Sequence, residues 1–120
     1  MITTKPGGSA MPAQVVEQVA DRFKALAEPS RLHLLQTLRS GKASVGELVE
    51  RTGLSQANVS KHLRVLLAAG FVSRRRNGLF VEYQLADRDV LRLCEIMCGR
   101  LERELEVQRR SRGPAARRTG

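Results

Sequence analysis

The sequence predicts a mainly α-helical fold with one β-hairpin, an α+β domain in the order ααααββα. Apolar residues recur at helical spacing in five segments, four before the hairpin and one after it. After Gly70 the period changes to alternation on both sides of Asn77-Gly78, which is a strong hairpin signal. A chain of 120 residues has room for one such domain with a modest core.

Charge and composition narrow the function. The formal net charge is +9, which favours a polyanionic partner, either nucleic acid or an anionic membrane surface. No apolar run reaches the length of a spanning helix and the N-terminus lacks an apolar signal core, so we expect a cytoplasmic protein without membrane partners. Aromatic residues make up only 3%, which disfavours single-strand binding by base stacking. The chain offers no nucleophile–base–acid set and no phosphate-binding glycine loop, so an enzyme is not expected.

The first half of the chain predicts an arm and three helices. Residues 1–13 have little apolar content and are interpreted as a flexible arm, followed by an amphipathic helix over 14–27. Pro29 is well placed to begin a second helix that stops at Gly41. A short third helix follows Ser44, which together with Glu47 has the spacing of a capping box.

A tight corner, Thr52-Gly53-Leu54-Ser55, leads into the fourth helix, which ends near Gly70. This is the connection of a helix-turn-helix, with Gly53 supplying the left-handed conformation. One face of the fourth helix is apolar, and the opposite face carries amide, hydroxyl and cationic groups that can bind base edges and phosphates. That face comprises Gln56, Asn58, Ser60, Lys61 and Arg64, with Ser55 as the N-cap. A solvated face that binds nothing is the competing interpretation.

The hairpin carries three arginines, Arg74, Arg75 and Arg76, beside its expected tip at Asn77-Gly78. Charges often protect the edge of a sheet, but beside a helix-turn-helix a wing that contacts phosphates or the minor groove is favoured. We expect the apolar residues of the second strand to face the helices; they are Leu79, Val81, Tyr83 and Leu85.

The last helix is expected to begin after Asp87 as N-cap and to reach about Val107. Its apolar stripe predicts packing on the same helix of a twofold-related copy, whereas burial within one subunit is the alternative. The stripe, and hence the expected dimer interface, is Val90, Cys94, Met97, Leu101 and Leu105. Residues 14–107 then form one DNA-binding and dimerisation domain, and 108–120 a disordered basic tail.

Several phrases occur in the order found in one known family. They are Leu26-Ala27-Glu28-Pro29-Ser30-Arg31-Leu32, Ser44-Val45-Gly46-Glu47-Leu48, Leu54 to Leu63, Leu66 to Val72, and the wing phrase through Asn77-Gly78 and Tyr83-Gln84-Leu85. Over about residues 15 to 105 the chain resembles the ArsR/SmtB family of winged helix-turn-helix repressors. The resemblance implies a homodimer that binds double-stranded DNA at a pseudo-palindromic operator and is released by an inducer, with the fourth helix in the major groove. A non-specific architectural DNA-binding protein is the alternative.

The expected DNA-binding residues therefore lie on the fourth helix and the wing. His62 joins them because the resemblance places a histidine at this point of the motif. The full set is Ser55, Gln56, Asn58, Ser60, Lys61, His62, Arg64, Arg74, Arg75, Arg76 and Asn77.

The metal sites that the resemblance implies are not expected here. The third-helix site would place thiols where Ser44 and Gly46 stand, and neither is a soft-metal ligand. The zinc site at the dimer interface falls on Asp87, Asp89, Arg100 and Arg103, and arginine cannot ligate a cation. No resident metal or cofactor is therefore predicted.

Cys94 and Cys98 are the remaining candidates for sensing. At positions i and i+4 they share one helix face about 5–6 Å apart at Cβ, farther than a disulfide prefers. Across a twofold axis the thiols of two subunits could converge. Three interpretations stay open: buried packing, thiol-based sensing of redox or sulfur species, and binding of a thiophilic metal or metalloid. The inducer is unknown.

Overall fold

The computed structural model describes residues 10–119, with side chains described through residue 112. It confirms the predicted α+β fold and the order of its helices and hairpin. The elements are α1 (Ala13–Leu26), α2 (Pro29–Thr37), a 3₁₀ turn (Leu38–Ser40), β1 (Ala43–Ser44), α3 (Val45–Thr52), α4 (Gln56–Ala68), β2 (Val72–Asn77), β3 (Phe80–Leu85) and α5 (Asp89–Thr119). None of the described helices is both long and apolar enough to cross a membrane.

The predicted caps of α3 and α4 are present. The Glu47 backbone N–H donates to Ser44 Oγ at 3.2 Å, and the Ser44 N–H donates to Glu47 Oε1 at 2.8 Å, which completes the capping box. Gly53 ends α3 with φ at 76°, a left-handed conformation that glycine adopts without strain. The Asn58 N–H donates to Ser55 Oγ at 3.1 Å and begins α4. The start of α4 is thus fixed by local sequence.

The core fixes the other side of α4. Val59, Leu63 and Leu66 have no exposed surface, and they share the core with fully buried leucines of α2 and α3. Because these three positions recur at i, i+4 and i+7, they lie on one side of α4. The opposite side is therefore held toward solvent.

The hairpin turn differs from the prediction by one residue. Asn77 pairs with Phe80, so the two-residue turn is Gly78-Leu79 and not Asn77-Gly78. Positive φ is confined to glycines among the described residues, and Gly78 has φ of 66°. A positive φ at only the first central residue is typical of a type II′ turn, in which any residue fits the second position. The expectation that Leu79 faces the helices was wrong, because it is 94% exposed in the turn.

A short strand was missed by the sequence pattern. Ala43 and Ser44 of β1 pair with Tyr83 and Glu82, so the sheet order is β1-β3-β2. Two residues carry no detectable alternation, which is why the pattern could not show this strand. Its effect is that β3 is held on both edges.

The chain divides into two compact units, Met1–Asp87 and Arg88–Gly120. The predicted domain over 14–107 includes residues of both units, and its bounds stay a prediction. The predicted arm, 1–13, lies mostly outside the described residues, and Ala13 already begins α1.

The last helix also differs from the prediction at both ends. The Arg88 carbonyl accepts from the Leu91 and Arg92 N–H groups, so Arg88 and not Asp87 stands at the N-cap. At the other end α5 continues to Thr119, past the predicted end at Val107, so the expected disordered tail is helical through 119. Glu106 accepts from Arg109 at 2.7 Å and from Arg110 at 3.2 Å. Such i,i+3 and i,i+4 pairs favour the added turns.

Candidate nucleic-acid interface

The solvent side of α4 presents a polar surface that we call the reading face. It consists of Gln56, Asn58, Lys61 and Arg64, all exposed, with Ser60 half-buried at its edge. An amide side chain can both donate to and accept from a base edge, and the two cations can donate to guanine or to phosphate oxygens. The structure brings these five predicted residues together on one side of one helix.

Ser55 is exposed, but its hydroxyl already has a structural role. It accepts the Asn58 N–H at 3.1 Å as the N-cap of α4. A hydroxyl has two acceptor lone pairs and one donor hydrogen, so Ser55 can still donate to a phosphate while it caps the helix. The two roles are compatible.

His62 does not belong to the reading face, and its burial disfavours the predicted contact with DNA. It is only 6% exposed, on the side of α4 that carries Val59, Leu63 and Leu66. Its position three residues after Val59 and four before Leu66 is itself a helical stripe spacing, so the sequence carried a signal for burial. The resemblance to the family motif had outweighed that signal.

A partner holds His62 in the interior. Arg31 Nη1 donates to His62 Nδ1 at 3.3 Å, which requires Nδ1 to carry no proton. His62 Nε2 lies 3.9 Å from Glu28 Oε1. The imidazole of α4 is therefore placed between a guanidinium and a carboxylate from the start of α2.

Arg31 extends this contact to the end of α1. Its Nε donates to the Ala25 carbonyl at 2.6 Å, and its Nη2 donates to the Lys24 carbonyl at 3.3 Å. One guanidinium thus satisfies the Ala25 carbonyl and shares the Lys24 carbonyl with the Ala27 N–H at the C-terminus of α1, while it contacts α4. We call Arg31, His62 and Glu28 the Arg31 cluster, and sequence reasoning did not find it.

Glu28 completes the Arg31 cluster as the N-cap of α2, accepting the Arg31 N–H at 3.1 Å. Burial by itself would raise the pKa of Glu28, but hydrogen bonds from the Arg31 and Ser30 backbone, with His62 and Arg31 nearby, hold that pKa below its ordinary value. The carboxylate is charged at neutral pH, which suits its place at a helix N-terminus.

The hairpin places the three predicted arginines on different faces. Arg74, Arg75 and Arg76 are all exposed. Arg75 is opposite Glu82, whereas Arg74 and Arg76 are opposite Tyr83 and Val81. Because cross-strand partners share a face and neighbours alternate, Arg75 has an acidic neighbour that the other two lack.

Asn77 is exposed near the tip, with its side chain engaged. Its Nδ2 donates to Glu82 Oε1 at 3.3 Å, and Lys42 Nζ lies 3.5 Å from the same oxygen. Glu82, on the central strand β3, therefore contacts polar groups from β2 and from the residue before β1. A DNA contact by Asn77 remains a prediction.

On α5 the expected interface residues are not equivalent. Val90 is only 3% exposed in the single chain, which leaves little surface for a second copy, and its place in the dimer interface stays a prediction. Met97, Leu101 and Leu105 are each more than half exposed, and Cys94 is half-buried. Cys98 is exposed, and neither cysteine forms a disulfide. Leu93 and Ile96 add exposed apolar surface nearby.

The residues at the two implied metal sites do not fit a metal ion. The Ser44 hydroxyl is engaged in the capping box, and Gly46 offers no side chain. Arg100 Nε donates to Glu104 Oε2 at 3.2 Å and brings a fixed positive charge to the other site.

The geometry defines a class of protein. A three-residue corner joins α3 to α4, the reading face is exposed, and a basic hairpin follows directly. This arrangement is that of a winged helix-turn-helix DNA-binding protein.

Comparison with known proteins gives the family. Residues 28–74 match the model of the family described as "Bacterial regulatory protein, arsR family". The chain is 42% identical over 83 residues to the HTH-type transcriptional regulator NmtR of Mycobacterium tuberculosis, covering 69% of each chain. It is 42% identical over 77 residues to the probable mercury resistance operon repressor of Streptomyces lividans, covering 64% of this chain and 62% of that one. The chain thus belongs to the ArsR family, although the match spans less than two thirds of the Streptomyces protein.

A solved structure agrees with this assignment. The homodimeric winged helix-turn-helix DNA-binding domain of a possible ArsR-family regulator from Mycobacterium bovis superposes with a TM-score of 0.72 at 33% identity. The match covers 85% of this chain and 94% of that one. The relatives are regulators and repressors, which favours specific recognition over architectural binding.

Proposed function

We propose that this chain is a homodimeric repressor that binds a pseudo-palindromic operator with α4 in the major groove. The observation that carries the proposal is the reading face, whose four exposed polar side chains stand on a helix fixed by a buried face. Because α4 is fixed, its backbone loses little conformational entropy when its side chains bind, so such a face suits specific contacts. The mycobacterial structure that resembles this chain is a homodimer.

The roles of the reading-face residues follow from their chemistry. Gln56 and Asn58 lie in the first turn of α4, the part of a recognition helix that contacts base edges, and amides suit adenine. Lys61 and Arg64 lie further along and can bind guanine or phosphate. The hairpin arginines follow as backbone or minor-groove contacts.

The binding test uses DNA selected from a random pool, followed by footprinting of the selected sites. We expect two protected half-sites about one helical turn apart and a preference over random DNA of at least about 10³-fold. Arg64→Ala should lower the affinity for the selected DNA by about tenfold or more. Arg22→Ala, which removes the same charge from exposed α1, is the matched control and should change affinity far less. Equal binding to all sequences would overturn the proposal in favour of an architectural protein.

The dimer is proposed to form through the exposed stripe of α5, Met97, Leu101 and Leu105. Positions i, i+4 and i+8 lie nearly in line on a helix, so a second copy can bury all three. Leu101→Glu should yield a monomer in analytical ultracentrifugation and lose operator binding. Ile96→Glu is the matched control, because Ile96 points about 140° away around the helix. A Leu101→Glu variant that dimerises as tightly as wild type would refute this interface.

Release from DNA is proposed to involve Cys94 and Cys98, with the inducer class left open. Cys94 belongs to the predicted stripe of α5 and is half-buried, and Cys98 lies one turn further along the helix and is exposed. A change at these thiols would therefore act on the proposed dimer contact rather than on the reading face.

A further inference from the structure

The tip of the hairpin exposes two large apolar side chains. Leu79 is 94% exposed and Phe80 is 66% exposed, and they are adjacent at the turn between β2 and β3. Neither contributes to the core. Contiguous exposed apolar surface at the end of an element indicates a contact that buries it.

The tip is rigidly presented. Gly78 has φ of 66° in the two-residue turn, and Phe80 pairs with Asn77 at the end of the antiparallel ladder that runs the length of β2 and β3. A short turn on a paired strand has little freedom to fold its side chains back onto the protein. Leu79 and Phe80 are thus held outward.

The charge around the tip selects the partner. Arg74, Arg75 and Arg76 precede it in β2 and are all exposed. A matching partner must be a polyanion that offers an apolar slot within reach of its charges. Duplex DNA has this combination, because phosphates border the grooves and stacked bases lie between them.

We propose that Leu79 and Phe80 act as an apolar wedge that enters the minor groove beside each half-site and opens a base-pair step. The wedge rests on the proposed function, since it requires α4 to place the hairpin on the flank of a half-site. Apolar side chains inserted in this way partly unstack DNA and kink it toward the major groove. Pyrimidine–purine steps open most easily, so operator choice would depend on flanking steps that form no hydrogen bond with the protein.

The test compares wild type with Leu79→Ser and Phe80→Ser on selected operator DNA. Leu79→Met keeps an apolar side chain and serves as the conservative variant. Val107→Ser removes another exposed apolar group, on α5, and serves as the matched control. Operator duplexes carry 2-aminopurine at the flanking steps to report unstacking, and end-labelled duplexes report bending by energy transfer.

Wild type, the Leu79→Met variant and the Val107→Ser variant should each raise 2-aminopurine fluorescence and bend the duplex. The two serine variants should lose both signals while they still protect the half-sites. Replacing a flanking pyrimidine–purine step by an A-tract should lower the operator affinity of wild type by about 5-fold or more, and that of the serine variants by less than about 2-fold.

Three results would overturn the wedge. Serine variants that bend and unstack the duplex as wild type does would refute it and leave the proposed function intact. Wild type that binds no specific site would refute the proposed function itself. Binding to vesicles of anionic phospholipid that the serine substitutions abolish, with no effect on DNA, would assign the tip to a membrane surface.

Discussion

Replacing His62 should reduce stability and leave the reading face able to bind DNA. In His62→Ala, Arg31 loses the acceptor that lies 3.3 Å from its Nη1, and the buried side of α4 gains a cavity. A hydrogen bond to a charged group contributes about 1.5–3 kcal/mol. Arg31 is half-buried and keeps the Ala25 and Lys24 carbonyls, so water can replace part of the loss.

The cavity adds to this cost. His62 is 6% exposed, so removal of its imidazole leaves a void that the neighbouring leucines fill only in part. We therefore expect His62→Ala to lower the free energy of unfolding by about 3 kcal/mol in total. His62→Asn should lose only about 1 kcal/mol, because its Oδ1 takes the place of Nδ1 as an acceptor for Arg31.

The assay is urea unfolding followed by circular dichroism, at one protein concentration because dimerisation stabilises the folded state. Operator affinity is measured on the same samples at 25 °C. Lys61→Ala is the matched control, since Lys61 is exposed on the adjacent position. It should change stability by no more than about 0.5 kcal/mol yet weaken operator binding. A His62→Asn variant that is as stable as wild type but loses operator affinity as Lys61→Ala does would refute the buried role.

Three further predictions concern the caps, the corner and the thiols. The hydrogen bond from the Ser44 backbone N–H lowers the pKa of Glu47, although burial opposes this, so the ionised carboxylate stabilises the fold fully above the ordinary glutamate pKa and loses that effect as pH falls through the lowered pKa. In acid unfolding curves, Glu47→Gln should therefore flatten the decline of stability with falling pH. An unchanged curve would contradict the lowered pKa. Gly53→Ala should lower the free energy of unfolding by about 1–2 kcal/mol, and with it the melting temperature, because φ of 76° strains an L residue. An unchanged melting temperature would show that the left-handed cap does not constrain this position. Replacing Cys94 and Cys98 together by Ser should abolish release from operator DNA by oxidants, persulfides or arsenite, whereas release unchanged from wild type would leave them a packing role.

Local chemistry explains why much of the fold was predictable. Ser44, Glu47, Gly53 and Ser55 act on neighbours within four residues, so their spacing alone specifies where these helices begin and end. The α4 stripe was equally visible, because burial on one side of a helix leaves a period in the sequence. Elements of this kind were placed correctly because no distant residue decides them.

The errors have a different origin. The Arg31–His62 contact joins residues 31 positions apart, and no local pattern encodes such a pair. The pairing of β1 with β3 likewise depends on residues brought together by the fold. The hairpin register was misjudged because Asn-Gly fits two turn types that differ by one residue. The exposed apolar tip became visible only once that register was known.

The Arg31 cluster and the reading face occupy opposite sides of α4, and this arrangement separates stability from recognition. His62 and Leu63 fix the helix against the core, while Lys61 and Arg64 adjoin them in sequence and point to solvent. Adjacent residues on a helix point about 100° apart. A one-residue shift along α4 would therefore turn a core residue toward DNA and a DNA-contacting residue toward the core. Substitutions on the reading face can therefore alter the preferred operator without a cost to the core. Substitutions in the cluster should affect all operators alike, since they act through the folded fraction.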